Sequence, residues 1–222
     1  FRQRGQLPAS CRIVTFPALD FNLLWPFNCI NPYNASEPPA FPFGRFPYGD
    51  RVIVAAIDRD LPPGEILAYY LTQYDEYKVN LDHLLRLESA RMAARESACD
   101  VKMAAVVFER FAKERLFWAI NHPTNALLEQ LIEEILQHGS RIDPRLIDAN
   151  IGHTLSAYFG AQGPLGSANI PIHPRVAEDL GLAWYEPGQS FRTWDGTMYS
   201  YKEYFAAMID CAYVFKSARR PA

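Results

Sequence analysis

Three short apolar runs punctuate the chain: Arg12-Ile13-Val14-Thr15-Phe16, Arg51 to Ile57, and Leu116-Phe117-Trp118-Ala119-Ile120. Each is five to seven residues long, rich in β-branched or aromatic side chains, and does not alternate. That is the pattern of a strand buried on both faces of a parallel sheet. Helical periodicity lies between and after the runs. Residues 64–76 follow Pro62-Pro63-Gly64, and a charged stretch from about Asn80 to Ser97 carries Leu81, Leu84, Leu85 and Met92 on one side. A third helix, about Cys99 to Glu114, leads into the third strand. The clearest helix is about 125–138, where Leu127, Leu128, Leu131, Ile132, Ile135 and Leu136 form an i, i+4 double row. Thr124 or Asn125 caps its start, and Gly139 suits the position just past its end. A last helix, about 200–216, is equally periodic, and Arg192 to Tyr199 carries an Asp-Gly turn that predicts a small hairpin. Strands separated by helices predict an α/β fold: three layers, with an open, mostly parallel sheet flanked by helices.

The loops are uneven. Ten of the seventeen prolines fall in residues 1–64, and Phe41, Phe43, Phe46 and Tyr48 are interleaved with several of them. Residues 31–49 are therefore expected to form an irregular loop anchored by aromatic side chains, and 140–199 an irregular region containing the hairpin. With no repeat, low-complexity tract or linker, residues 1–222 read as one α/β domain. The opening Phe1-Arg2-Gln3-Arg4-Gly5 has neither an initiator Met nor an apolar signal core, so the sequence reads as an N-terminally truncated fragment or processed product.

Charge and composition exclude several functions. A net charge of −3 lacks the basic stripe of a nucleic-acid binder, and 49% hydrophobic residues is a globular value. No apolar run reaches the ~18 residues that span a bilayer. Cys11, Cys29, Cys99 and Cys211 form no CxxC pair and have no His at ligand spacing, so a disulfide scaffold and a metal site are both unsupported. A reducing cytoplasm is the expected compartment. GxGxxG, GxxxxGK[ST] and GxSxG are absent, which removes the dinucleotide fingerprint, the P-loop and the hydrolase elbow.

In an open parallel sheet, ligands bind beyond the carboxyl ends of the strands. Strand one delivers Pro17 to Asp20, strand two delivers Asp58-Arg59-Asp60, and strand three delivers Asn121-His122-Pro123-Thr124-Asn125. The third is the richest in chemistry. His122 directly after a buried strand reaches ligand and solvent together, and the following helix start offers N–H groups and a positive dipole end. Asn121 and Asn125 add amide donors of the oxyanion-hole type. The bland reading stands beside it: Thr124 and Asn125 are helix caps and His122 a hydrogen-bonded structural residue. His83 and His153 read as solvated or unpartnered, and His138 as a complement to a helix C-terminus. The spacing of His138 and Asp143 matches an acyltransferase pattern that arises easily by chance. His173-Pro174 reads as structural, and the Gly-rich stretch 160–166 as a loop over the site.

The segment Arg95 to Val101, continuing through Phe111 to Leu116-Phe117-Trp118-Ala119-Ile120-Asn121-His122-Pro123-Thr124-Asn125, resembles the WcbI family of capsule polysaccharide-biosynthesis proteins. Ile13 to Phe21 is similar to a second block of that family, and Pro171 to Val176 with Leu180-Gly181-Leu182 to a third, so the resemblance runs through most of the chain. It implies an SGNH/flavodoxin-like fold that binds coenzyme A and moves an acetyl group onto a capsule sugar. It also implies a Gly-Asn-Cys block on the first strand. This chain has none, so that strand and its nucleophile are expected upstream of Phe1, and neither Cys11 nor Cys29 inherits the role. Where the family tends to show His-Pro-Asp, this chain reads Trp25-Pro26-Phe27, and no Asp stands three residues before any of its histidines.

The resulting expectation is an acetyl-CoA-dependent O-acetyltransferase. His122 is its general base and Asn121 a catalytic partner, with Asn125, Thr124, Pro17, Asp58 and Arg59 as the coenzyme-binding set. Its partners are an acyl-CoA and a sugar or polysaccharide precursor. The alternatives are an SGNH-like carbohydrate esterase and a non-catalytic module that binds coenzyme A or glycan.

Overall fold

The computed structural model describes residues 8, 11–37, 40–77, 79–142, 150–163 and 168–218. The opening pentapeptide, Asp143 and residues 164–166 of the Gly-rich stretch lie outside them. Among the described residues the strands are short and pair only in twos. β1 (Asn28–Ile30) runs antiparallel to β2 (Tyr48–Asp50), with Asn28 opposite Asp50 and Ile30 opposite Tyr48. β3 (Phe117–Ala119) turns back on β4 (His122–Pro123), and β5 (Phe191–Arg192) pairs with β6 (Met198–Tyr199). The structure is therefore a mixed fold of helices and small antiparallel pairs, and no open parallel sheet is found among the described residues.

The second apolar run departs most from expectation. Arg51–Asp58 is helix α1, not a strand. Asp50 caps it, its Oδ1 accepting from Val52 N at 2.9 Å and Ile53 N at 3.3 Å. Val52, Ile53, Ala56 and Ile57 are buried while Arg51 and Asp58 are exposed, which is the spacing of a helix face. The β-branched residues that favoured a strand are tolerated because that face packs on α2 (Pro63–Tyr77) and α8 (Tyr201–Ala218). The first run is not a strand either. Residues 12–16 form no strand and pair with no sheet, with Ile13 and Phe16 about half exposed. Asp100 ties them down: its carboxylate accepts from Thr15 N at 2.8 Å and Thr15 Oγ1 at 2.7 Å. The third run does form a strand, but as one arm of a tight hairpin.

Helix α3 (Leu81–Glu96) is capped by Asn80 Oδ1 on His83 N at 2.9 Å. Helix α4 is only Ala104–Arg110, shorter than the sequence pattern. Its start is fixed from outside, because Glu96 Oε2 accepts from Met103 N and Ala104 N at 2.8 and 2.9 Å. Helix α5 (Asn125–Ile142) runs through Gly139 instead of ending there, and packs on α6 (Ile151–Ala161), which the sequence pattern left unassigned. Helix α7 (Pro174–Asp179) is capped by His173, whose Nδ1 accepts from Arg175 N at 3.1 Å.

The core joins these pieces around aromatic rings. Phe21 is fully buried and stacks on Phe117 with centroids 5.6 Å apart, and it touches Phe108 and Phe111 at 5.8 and 5.3 Å. Its backbone N–H donates to Ile120 O at 2.8 Å, so the segment before β1 is bonded to the β3–β4 turn. No helix among the described residues is long and apolar enough to cross a membrane.

Candidate functional site

The β3–β4 hairpin turns within two residues, which places Asn121 at its tip and His122 at the start of the return strand. The chain thus leaves β3 under tight constraint, and both side chains are displayed beside β2. From β2, the Tyr48 hydroxyl lies 2.6 Å from Asn121 Oδ1 and 3.3 Å from His122 Nδ1. A hydroxyl has one proton to give. The shorter contact takes it, because an amide oxygen only accepts, so Tyr48 serves His122 as acceptor. The hydrogen-bond network therefore assigns the proton of a neutral His122 to Nδ1 and the lone pair to Nε2. Trp194, in the β5–β6 turn, meets the imidazole edge to face with centroids 5.5 Å apart. Burial holds the His122 imidazole below its ordinary value, which favours the neutral, basic form. Burial also pushes the Tyr48 phenol up, against the opposing pull of its bond to Asn121.

The other nominated residues go elsewhere. Thr124 is buried at the start of α5, where its carbonyl accepts from Leu127 N and Leu128 N at 3.1 and 3.0 Å. Asn125 turns its amide to the end of α6, donating to the carbonyls of Phe159, Gln162 and Gly163 at 3.1 to 3.3 Å. Asp58 and Arg59 sit at the C-terminal end of α1, about 12 Å of helix from β2. There Asp58 accepts from the Tyr33 hydroxyl, and Lys216 Nζ bonds Ile57 O and Asp60 Oδ1, each at 2.7 Å. Pro17 is buried in the segment held by Asp100. None of Pro17, Asp58 and Arg59 forms a hydrogen bond or ion pair with Asn121 or His122. Their nomination rested on parallel strand ends, and two of those strands are not strands. His83 and His153 are exposed on helices, and His138 Nε2 lies 4.0 Å from Asp100.

Behind Tyr48 lies a buried polar group that the sequence pattern did not isolate. Asp50, 8% exposed, receives the Tyr70 hydroxyl in addition to the N–H groups of α1, and Tyr70 in turn meets Tyr201. Burial pushes the Asp50 carboxyl up to about 6, despite those three donors and the nearby Arg51. His173 packs edge-on against Tyr70 with centroids 5.3 Å apart. Tyr48, Asp50, Tyr70 and His173 line a cavity of about 30 Å³, room for little more than a water molecule. The Tyr-Gly-Asp that opens this group stands directly before the apolar run, where an acidic residue is a helix-start signal.

Among curated proteins, none matches the sequence. The chain is similar to a solved structure of WcbI, described as a novel polysaccharide biosynthesis enzyme and as the native protein without a disulfide bond between coenzyme A and one of its cysteines. The two share 16% identity over 97% of this chain and 68% of that one, with a TM-score of 0.68, a likeness that establishes the fold. A family profile, polysaccharide biosynthesis enzyme WcbI, matches residues 2–140 and so takes in Tyr48, Asn121 and His122. That match covers more than half of the sequence, and the chain belongs to the WcbI family of polysaccharide biosynthesis enzymes.

Proposed function

We propose that the chain binds coenzyme A and transfers an acetyl group from acetyl-CoA to a hydroxyl of a polysaccharide precursor, with His122 as general base. The observation that carries this reading is the bonded sequence His122 Nδ1–H to Tyr48 oxygen, and Tyr48 O–H to Asn121 Oδ1. It orients a half-buried imidazole and leaves Nε2 as its basic atom. Burial keeps that imidazole neutral at physiological pH, the state in which it accepts a proton.

In the reaction, the acceptor hydroxyl gives its proton to Nε2 as its oxygen attacks the thioester carbonyl. The new C–O bond forms, the C–S bond breaks, and the imidazolium returns the proton to the departing thiolate. Asn121, with Oδ1 held by Tyr48, offers its Nδ2 amide to the oxyanion, and the Trp194 ring shields one side of the imidazole. Family membership supports a saccharide acceptor, and the coenzyme named for the WcbI structure supports the donor class. The proposed compartment is the cytoplasm, which supplies acetyl-CoA.

The test is calorimetric titration of the chain with coenzyme A and acetyl-CoA, followed by turnover with a saccharide acceptor. Saturable binding is expected, with transfer abolished in His122→Ala while its circular dichroism and urea midpoint stay near wild type. Equal consumption of acetyl-CoA with and without saccharide converts the reading to hydrolysis. Absence of coenzyme binding removes it.

A further inference from the structure

A second cavity, of about 230 Å³, opens between residues 22–28, the first turn of α1 and the α3 helix. Its polar wall is Asn22, Asn28, Arg51, Glu88 and Arg91, and Trp25 closes one side. The charges in this wall are arranged unequally. Glu88 is 6% exposed, and its carboxylate accepts from Asn22 N and Arg91 Nε, each at 3.0 Å. Arg91 also donates to Asp20 Oδ1 at 2.5 Å and Asp20 O at 3.3 Å, and the second Asp20 oxygen pairs with Arg95. Two carboxylates thus neutralise two guanidiniums, and Arg91 is fixed in one orientation before any ligand arrives.

Arg51 stands outside that balance. Its Nη2 donates to Asn28 O at 3.2 Å, and among the described residues no carboxylate forms an ion pair with it. The neighbouring Asp50 turns inward, its oxygens spent on the α1 N–H groups and Tyr70. The cavity therefore carries at its edge one cation with no ion-pair partner among the described residues, its nearest carboxyl, Asp50, being turned inward, together with a rigid second guanidinium, two amides and an indole. An anionic group is favoured there by charge, and the amides and buried carboxylate suit hydroxyls. At about 230 Å³ the space is below that of drug-sized pockets and fits a single small ring. Trp25, Pro26 and Asn28 wall both this cavity and the small one that Tyr48 lines, so the two share a wall.

We propose that this cavity is the acceptor subsite and that it binds an acidic sugar ring, held through Arg51. The assignment as acceptor subsite rests on the acetyltransferase reading above; the binding of an acidic sugar does not. A uronate and a sugar phosphate present the same chemistry, an anion on a hydroxylated ring, and binding assays separate them.

The experiment titrates the whole chain with methyl glucuronide, glucose 1-phosphate, glucose and inorganic phosphate, using calorimetry and ligand-observed NMR. One of the two acidic sugars is expected to bind at least tenfold more tightly than glucose, and the tighter identifies the anion. Arg51→Gln, at an exposed position, is expected to weaken that binding about tenfold or more, since it removes a charge-assisted hydrogen bond. Arg51→Lys should restore part of it, and coenzyme A affinity should be unchanged in both variants. Equal binding of glucose, or unaltered binding in Arg51→Gln, overturns the site. Inorganic phosphate binding as tightly as glucose 1-phosphate reduces it to an anion site and overturns the sugar assignment. Loss of coenzyme A affinity in Arg51→Gln gives the cavity to the coenzyme instead. Arg51-dependent sugar binding in a chain that binds no coenzyme A leaves the subsite standing and removes the acetyltransferase reading.

Discussion

Replacing Asp50 by Asn tests how the buried polar group is tied to the fold. Asp50 is the cap of α1 and is almost fully enclosed, and its carboxyl is moved from an ordinary value of 3.8 up to about 6 because burial penalises the anion. The folded chain thus holds this proton more tightly than the unfolded chain does. At about 1.4 kcal/mol per pH unit, the difference is about 3 kcal/mol in favour of the protonated folded state. The sign follows directly. This contribution is fully present below pH 3.8, declines as pH rises through the window to about 6, and is gone above it. An Asn keeps one oxygen for the Val52 and Ile53 N–H groups and cannot ionise, so the variant lacks that decline. Urea unfolding of both proteins at intervals between pH 4 and 8 measures it. The stability of Asp50→Asn relative to wild type should rise by up to about 3 kcal/mol across the window and then level off. Other carboxylates titrate alike in the two proteins and cancel in the difference. A difference that stays flat from pH 4 to pH 8 would falsify the assignment of a raised Asp50.

Three further outcomes follow from single contacts. Tyr48→Phe removes the donor to Asn121 and the acceptor of His122, so the proposed acetyl transfer should fall severalfold while urea stability drops by only about 1 kcal/mol; an unchanged kcat shows that Tyr48 does not orient the imidazole. Leu131→Ala truncates a side chain only 6% exposed on α5 and should cost about 2–5 kcal/mol by urea unfolding, and a cost under 1 kcal/mol argues against its core position. Asn125→Ala removes the amide bound to three carbonyls at the end of α6, so amide exchange in α6 should accelerate more than in α5. Uniform exchange in both helices contradicts that role.

What was legible in the sequence is what local periodicity encodes. The leucine and isoleucine rows of α5 and the aromatic row of α8 repeat every three or four residues, and both helices stand where those rows run. The Asp-Gly turn at 195–196 is a hairpin because Gly196 supplies the positive φ that the turn needs. The run Arg51 to Ile57 reads as a strand by its β-branched composition, but it folds by the helix spacing of Val52, Ile53, Ala56 and Ile57 and the Asp50 cap before them. Residues 12–16 have the composition of a strand but form none, because an apolar run does not determine what lies beside it, and among the described residues no strand does. His122 and Asn121 stood out because polar groups follow a buried run. Tyr48 and Trp194 did not, since each reaches His122 across more than seventy residues of chain, and only the folded topology brings them together.

The geometry of β2 links the site to the interior. Residues two apart on a strand face the same side, so Tyr48 and Asp50 point together into the small cavity while Gly49 lies between them. A Cβ at Gly49 would stand 3.0 Å from the Asn31 backbone, so the strand is pressed against its neighbour and has little freedom to shift. Tyr48 therefore holds His122 from a strand whose last residue is pinned twice, by the α1 N–H groups and by Tyr70. An imidazole base needs an orienting partner that does not move with solvent. In the proposed reaction that partner is Tyr48, carried on a three-residue strand anchored to two helices, so a small β-element suffices to hold the imidazole in one orientation.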